Sequence, residues 1–255
     1  MTKGLVITTF NSEDYFKELY HTIPFNNLDY IVIVNGGDEY KNKYDNVYWI
    51  QHQVRKYPSV ARNDGLKYLL ENDCDHNFIL EDDMIIKNND IFDHYIHLSE
   101  ISKIEYFCFC SNAWDSGPVG NRTPKLKVQY NDKDIISFYR NMCNEFTYRS
   151  KRIIKEVGFY NESYRYIFDI ENVFRISKHI NGSPFWYFPD SAESDSYIMN
   201  NPNAVTRINA GGERDRLVGE EFLKFEQENG LPVNKISELS QQEVIDKLIK
   251  LKNHD

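Results

Sequence analysis

The 255-residue sequence predicts an α/β fold, a three-layer α/β/α arrangement around a mainly parallel sheet. Three observations predict it. Short apolar runs alternate with segments of helical spacing from Leu5 to Asp83. The runs are almost continuously apolar, as strands covered on both faces are. The run ends at Asn11, Asn35-Gly36-Gly37 and Glu81-Asp82-Asp83 are polar, which suits the sheet edge where such folds gather ligands.

Each element follows from its residues. "LVITTF" (Leu5 to Phe10) reads as a buried strand, with Asn11 and Ser12 as helix N-caps. "SEDYFKELYHTI" carries Tyr15, Phe16, Leu19, Tyr20 and Ile23 on one helical stripe. "DYIVIVNGGDE" is a second strand closed by its glycines, and "NVYWIQHQ" a third. "SVARNDGLKYLLEN" reads as a helix despite Gly65, with Ser59 as its N-cap, and "HNFILEDD" as the fourth strand. "IEYFCFCSNAW" is a further strand, and Asp115 to Lys133 reads as a loop clustering Arg122, Lys125 and Lys127. "SKRIIKEVG" is helical, "FYNESY" a turn, Phe168 to Ile180 a helix and "SPFWYFPD" a strand. We divide the chain into residues 1–210, the α/β domain, and 211–255, a helical C-terminal extension packed on it. The extension includes "LSQQEVIDKLIKLK", where Ser240 and Glu243 form a capping box.

Composition narrows the function classes. A formal charge of −9 argues against a general polyanion binder while leaving room for a local basic groove. "MTKGLVITTF" lacks the form of a signal peptide and no apolar run is long enough to span a membrane, so the expected location is cytoplasmic. Cys108 and Cys110 fall on one side of a strand. With Cys74 and Cys143 they form no zinc-ligand set, which favours structural thiols.

"HNFILEDDMII" places Glu81, Asp82 and Asp83 between apolar segments. Like charges this close repel by roughly 1 kcal/mol per pair in water, and more near a low-dielectric surface. Two readings stand: a solvated acidic turn, or a seat for a hard divalent cation, Mg2+ or Mn2+, shared with substrate phosphates. A second acidic pair, Asp169 and Glu171 in "FDIENVFR", opens a helix. It could be an N-terminal charge cap, or a general base held by Arg175 one turn later.

Together these pieces resemble the GT-A-fold glycosyltransferases of the family 2 type. "VITTFN" is similar to that family's first strand and its "TYN"-like ending, and "IVIVNGGDE" to the strand ending "VDNGSTD". "SVARNDGLKYLLE" resembles the "ARNxG" helix and "FILEDDMII" the DxD strand. The segment from Tyr148 to Lys178 resembles "vGgFDExyf…EDvDLclR". The motifs occur in the family's order, over roughly residues 4 to 190.

The resemblance implies a metal-dependent inverting hexosyl- or pentosyltransferase using a nucleotide-sugar donor, a UDP-sugar, and a glycan or lipid-linked acceptor. It implies a pocket for base and ribose at Thr8, Phe10, Asn11 and Asn35, with Arg62 and Asn63 near the diphosphate or base. Glu81 would touch ribose or metal, Asp82 would lie beside the nucleotide and Asp83 would bind the metal. Asp169 would be the catalytic base, with Glu171 as its second acid. This sequence departs from the family in having Glu81 for an aspartate and no aspartate at Asn35, where Asp38 is the substitute. No His follows His179 until His254, so Asp190, Glu193, Asp195 or water would complete the metal site. "INAGGERDR" could close over the diphosphate through Arg207, Arg214 or Arg216, or be a charged surface loop. Trp114, Trp186, Tyr164 and Tyr166 are candidates to stack on sugar or base, or core aromatics.

Other readings remain. A phage-type enzyme could glycosylate hydroxymethylated cytosine in DNA, using the Arg122–Lys127 loop. A nucleotidyltransferase would need a Gly-rich basic loop, and "TTFNSED" has neither Gly nor Lys. A non-catalytic sugar-binding protein would have no use for both acidic clusters.

Overall fold

The computed structural model describes residues 1–42, 44–110, 123–140, 144–179, 181–182, 184, 187–203, 212–230 and 240–253, apart from the side chain of residue 252. Strand β1 (Lys3–Thr9) leads through α1 (Glu13–Tyr20) to β2 (Tyr30–Asn35) and β3 (Tyr48–Gln51). Helix α2 (Pro58–Glu71) returns the chain to β4 (His76–Glu81). There follow β5 (Met84–Ile86), α3 (Ile91–Ser102), β6 (Tyr106–Cys108), β7 (Leu126–Gln129), β8 (Ile135–Tyr139) and β9 (Phe146–Ser150). Next come α4 (Lys151–Val157), α5 (Phe168–Ser177), β10 (Phe188–Ser191), α6 (Ser194–Tyr197) and β11 (Ile198–Asn200). The chain closes with α7 (Glu213–Asn229) and α8 (Gln241–Lys252).

The six-stranded sheet has the order β3-β2-β1-β4-β9-β6. Strands β3, β2, β1 and β4 run parallel, and β9 runs antiparallel to both β4 and β6. The period of two in a strand divides the apolar runs between its faces. Leu5, Ile7, Ile31, Ile33, Phe78 and Leu80 join Phe16 and Leu19 of α1 and Phe92 and Tyr95 of α3 in one core. Val6, Val32, Val34 and Ile79 join Leu66 and Leu69 of α2 and Val173 and Phe174 of α5 in the other. The predicted three layers follow from this division.

Several elements depart from expectation. Helix α2 begins at Pro58 with Tyr57 as its N-cap, so Ser59 lies inside the first turn, consistent with the preference of Pro for N1. The expected loop from Asp115 to Lys133 contains β7, where Leu126 and Val128 turn inward and Lys127 and Gln129 outward. Ser240 and Glu243 form the expected capping box. Phe225 of α7 is buried against Phe174 and Tyr164, and Val244, Leu248 and Leu251 of α8 enter the α3-side core. Among the described residues, no helix is long and apolar enough to cross a membrane.

Candidate active site

Parallel pairing places the polar strand ends side by side, with Thr8 opposite Glu81 and Thr9 opposite Asn35. A cavity of about 250 Å³ opens there. Thr8, Thr9, Phe10 and Gly36 line it together with Glu81 and Asp82. Arg55, Lys56 and Tyr57, which precede α2, line the same cavity.

The Asn-Gly-Gly turn shapes this edge. Asn35 is buried and directs its amide inward: Nδ2 donates to the Asp38 carbonyl at 2.7 Å and to Gln51 Oε1 at 2.9 Å. Its Oδ1 accepts from the Gly37 N–H at 3.0 Å, so Asn35 braces the turn from beneath. A Cβ on Gly37 would meet Asn11 Oδ1 at 2.1 Å and Asn11 N at 2.7 Å, so the two loops approach closely only with glycine there. Asn11 and Asp38 line an adjoining open groove of about 680 Å³ together with Glu13 and Glu39.

The three acids after β4 have different surroundings. Asp82 accepts from Thr9 Oγ1, which also bonds Tyr40. Burial, opposed by Thr9 and reinforced by Asp83 and Glu81, raises the Asp82 carboxyl to about 7. Burial, with Glu81, also raises Asp83 to about 6. Its Oδ1 is buried without a hydrogen-bond partner. Glu81 Oε1 accepts from Arg62 Nη2 at 2.5 Å.

Arg62 is the structural centre of the site. Its side chain is 1% exposed, and Nη1 donates to Asp169 Oδ1 at 2.8 Å while Nη2 also donates to the Asn144 carbonyl at 3.1 Å. Burial opposes its charge, but Asp169, Tyr160 and Glu81 outweigh that and hold the guanidinium protonated. The side chain implied to lie near the diphosphate or base is engaged as a strut between Glu81 and Asp169. Asp169 opens α5, and burial, opposed by Arg62, raises its carboxyl to about 6.

Other expected residues lie farther from the cavity. Asn63 is buried and staples α2 to the turn after α4, donating to the Tyr160 carbonyl and to Glu162 and accepting from the Tyr160 N–H. Arg175 holds Glu171 rather than Asp169, with contacts of 2.6 and 3.0 Å, and also caps the Val157 and Phe159 carbonyls. Asp190 is buried, with its oxygens engaged by Tyr95, Ser194 and the Cys110 N–H. Tyr164 is a core residue bonded to Glu228, whereas the backbone of partly buried Tyr166 donates to Glu221. Arg216 pairs along α7 with Glu220 and Glu213, as a surface charge does. Trp114, Arg122, Cys143, Trp186 and Arg207 lie outside the described residues.

Sequence reading missed the Thr9–Tyr40 support of Asp82 and the basic lining at Arg55 and Lys56. The available signal was "RKYP", a basic pair immediately before a helix with Pro at N1.

Neither a protein-family model nor a curated protein matches the sequence. Solved structures do resemble the fold. The Staphylococcus aureus TarS 1-349 crystal structure aligns over 99% of this chain and 81% of its own, with 15% identity and TM-score 0.53. A longer S. aureus TarS structure aligns over 98% of this chain with 13% identity and TM-score 0.53, and this chain covers 49% of it. The mannosyltransferase PcManGT from Pyrobaculum calidifontis, in complex with GDP-Man and Mn2+, aligns over 98% of this chain and 68% of its own, with 8% identity and TM-score 0.53. The fold is GT-A-like.

Proposed function

We propose that this chain is a metal-dependent inverting glycosyltransferase that moves a sugar from a nucleotide-sugar donor to a hydroxyl of a glycan or lipid-linked acceptor. The observation that carries this reading is the Arg62 bridge. One buried guanidinium fastens Glu81, at the cavity, to Asp169, at the start of α5. A base at the acceptor hydroxyl and a metal-binding carboxylate beside the departing diphosphate are the groups that in-line displacement at a sugar carbon would use. PcManGT, of similar fold, holds GDP-Man and Mn2+, which supports the donor class and the metal. The narrower assignment to a UDP-sugar comes from the family resemblance of the sequence alone.

The acids fit a divalent cation. Asp83 Oδ1 is buried without a partner, and Arg62 takes only one oxygen of Glu81. Among the described residues no set of three His, Cys, Asp or Glu is arranged to hold an ion, so phosphate oxygens and water would have to complete its coordination. Asp83 and Glu81 would hold the ion, which when bound would neutralise charge on the departing diphosphate.

The chain's own residues supply the rest. Thr9 fixes Asp82 at the cavity, and Arg62 orients Asp169. Asp169 takes the proton of the acceptor hydroxyl as that oxygen attacks the anomeric carbon opposite the leaving diphosphate, which inverts the configuration. With its carboxyl near 6, Asp169 is mainly ionised at pH 7, as a general base must be.

Incubation with Mn2+ and a panel of nucleotide sugars should release a nucleoside diphosphate from at least one donor. Asp169→Asn should lower kcat by on the order of 10²–10⁴ while donor affinity persists. Full activity of Asp169→Asn removes the base, full activity of Asp83→Asn removes the metal assignment, and no turnover of any donor removes the reading.

A further inference from the structure

With Arg62 engaged by two carboxylates, any cationic side chain that meets a diphosphate beside the divalent ion must come from elsewhere in the cavity. The cavity that Glu81 and Asp82 line is also lined by two cations, Arg55 and Lys56. Both are exposed, and among the described residues neither has an anionic partner. That is informative in a chain with 39 acidic and 30 basic side chains, where acids to pair with are plentiful. Arg55 is nevertheless held in place. Its guanidinium carbon lies 4.4 Å from the centroid of the Phe10 ring, which is 37% exposed at the end of β1. Stacking of this kind holds the guanidinium plane while its N–H edge remains available for a bidentate oxyanion.

We propose that Arg55 and Lys56 form the seat for the donor's diphosphate, with Phe10 as the platform that orients Arg55. The inference rests on the nucleotide-sugar reading above and adds an anion site that lies outside the family-like motifs. It accounts for a cavity lined by both acids and bases. The acids accommodate a cation and ribose hydroxyls, and the bases take phosphate oxygens, which Arg can grip through two parallel hydrogen bonds. Phe10 then serves the phosphates through Arg55, beyond the base-and-ribose role implied by sequence.

Calorimetric titration with UDP, GDP, uridine and inorganic pyrophosphate in Mg2+ buffer tests this. The double variant Arg55→Ala/Lys56→Ala should bind UDP and pyrophosphate at least tenfold more weakly, with uridine affinity and melting temperature unchanged. Arg55→Lys/Lys56→Arg should recover part of the loss, because charge is kept while the fork is displaced. UDP affinity within twofold of wild type in the double variant overturns the seat and leaves the glycosyltransferase reading intact. Pyrophosphate binding that depends on both cations, without binding of UDP or GDP, supports the seat and removes the nucleotide-sugar reading. Absence of all binding to wild type overturns both.

Discussion

At the scale of single residues, the most consequential side chain is one whose environment the sequence did not disclose. Arg62 is almost fully buried, yet it bridges acids of unequal exposure, Glu81 at 35% and Asp169 at 18%. Removing one member of a buried ion pair costs about 3–5 kcal/mol, largely because the remaining charge is stranded. Solvent screens Glu81 more effectively, so Asp169 accounts for the greater part of that cost. Arg62→Leu should therefore lose about 3 kcal/mol in chemical denaturation and most of its activity. Arg62→Lys should regain stability but little activity, because an ammonium reaches one acid and cannot fork between two. An Arg62→Leu protein that unfolds within 1 kcal/mol of wild type would show that the bridge is not a strut. The "ARN" motif was legible in sequence, as were the acids at both ends. Their convergence was not, because it depends on β4, α2 and α5 meeting across long stretches of chain.

At the scale of elements, β1, β2 and β4 were legible as nearly continuous apolar runs, and α2 and α5 as helical segments set among them. Strand β5 was not: three residues, Met84 to Ile86, pair with Ile198 to Asn200, and no local pattern announces so distant a partner. Strand β9 was hidden for a related reason. "FTYRS" runs directly into α4, and its partners β4 and β6 determine its conformation. Helix α3 also escaped notice, although its buried Ile91, Phe92, Tyr95, Ile96 and Leu98 share one helical face. Gly65, by contrast, was an apparent flaw with a structural purpose. A Cβ there would meet Val6 Cγ1 at 2.3 Å and Cγ2 at 2.8 Å, so glycine lets α2 lie directly on β1. Helix propensity favours Ala over Gly by about 1 kcal/mol, but overpacking a filled core costs about 1–3 kcal/mol. Gly65→Ala should therefore lower stability. Gly219→Ala, on α7 with no atom within 4 Å of the added Cβ, should raise it by up to about 1 kcal/mol. Urea denaturation of both variants checks the pair, and stabilisation by Gly65→Ala would contradict the close approach.

At the scale of the whole molecule, the question is how residues 211–255 belong to the rest. We propose that they form part of the same folding unit. Glu221 of α7 accepts from the N–H groups of Arg165, Tyr166 and Ile167, immediately before Asp169. Lys247 of α8 donates to the Ser177 carbonyl at the end of α5 at 2.9 Å. Both helices thus brace the element that carries the candidate base. Lys247 allows a measurement of this docking. A cation suits a helix C-terminus, but burial opposes the charge and lowers the ammonium to about 8, against an ordinary value of 10.5. Below about 8 the group is charged in both states, and the folded chain bears the whole penalty. Between 8 and 10.5 the unfolded chain binds more protons, so rising pH stabilises the folded form until both states are neutral. Lys247→Met, which keeps much of the apolar stem, should melt a few degrees above wild type at pH 7, at roughly 2–4 °C per kcal/mol for a chain of this size. The advantage should shrink as pH rises from 8 and level off above about 10.5. Thermal melts of both proteins at pH 7, 9 and 10.5 test it. An advantage independent of pH would mean that the gain comes from packing alone and that Lys247 is not held in a desolvated site.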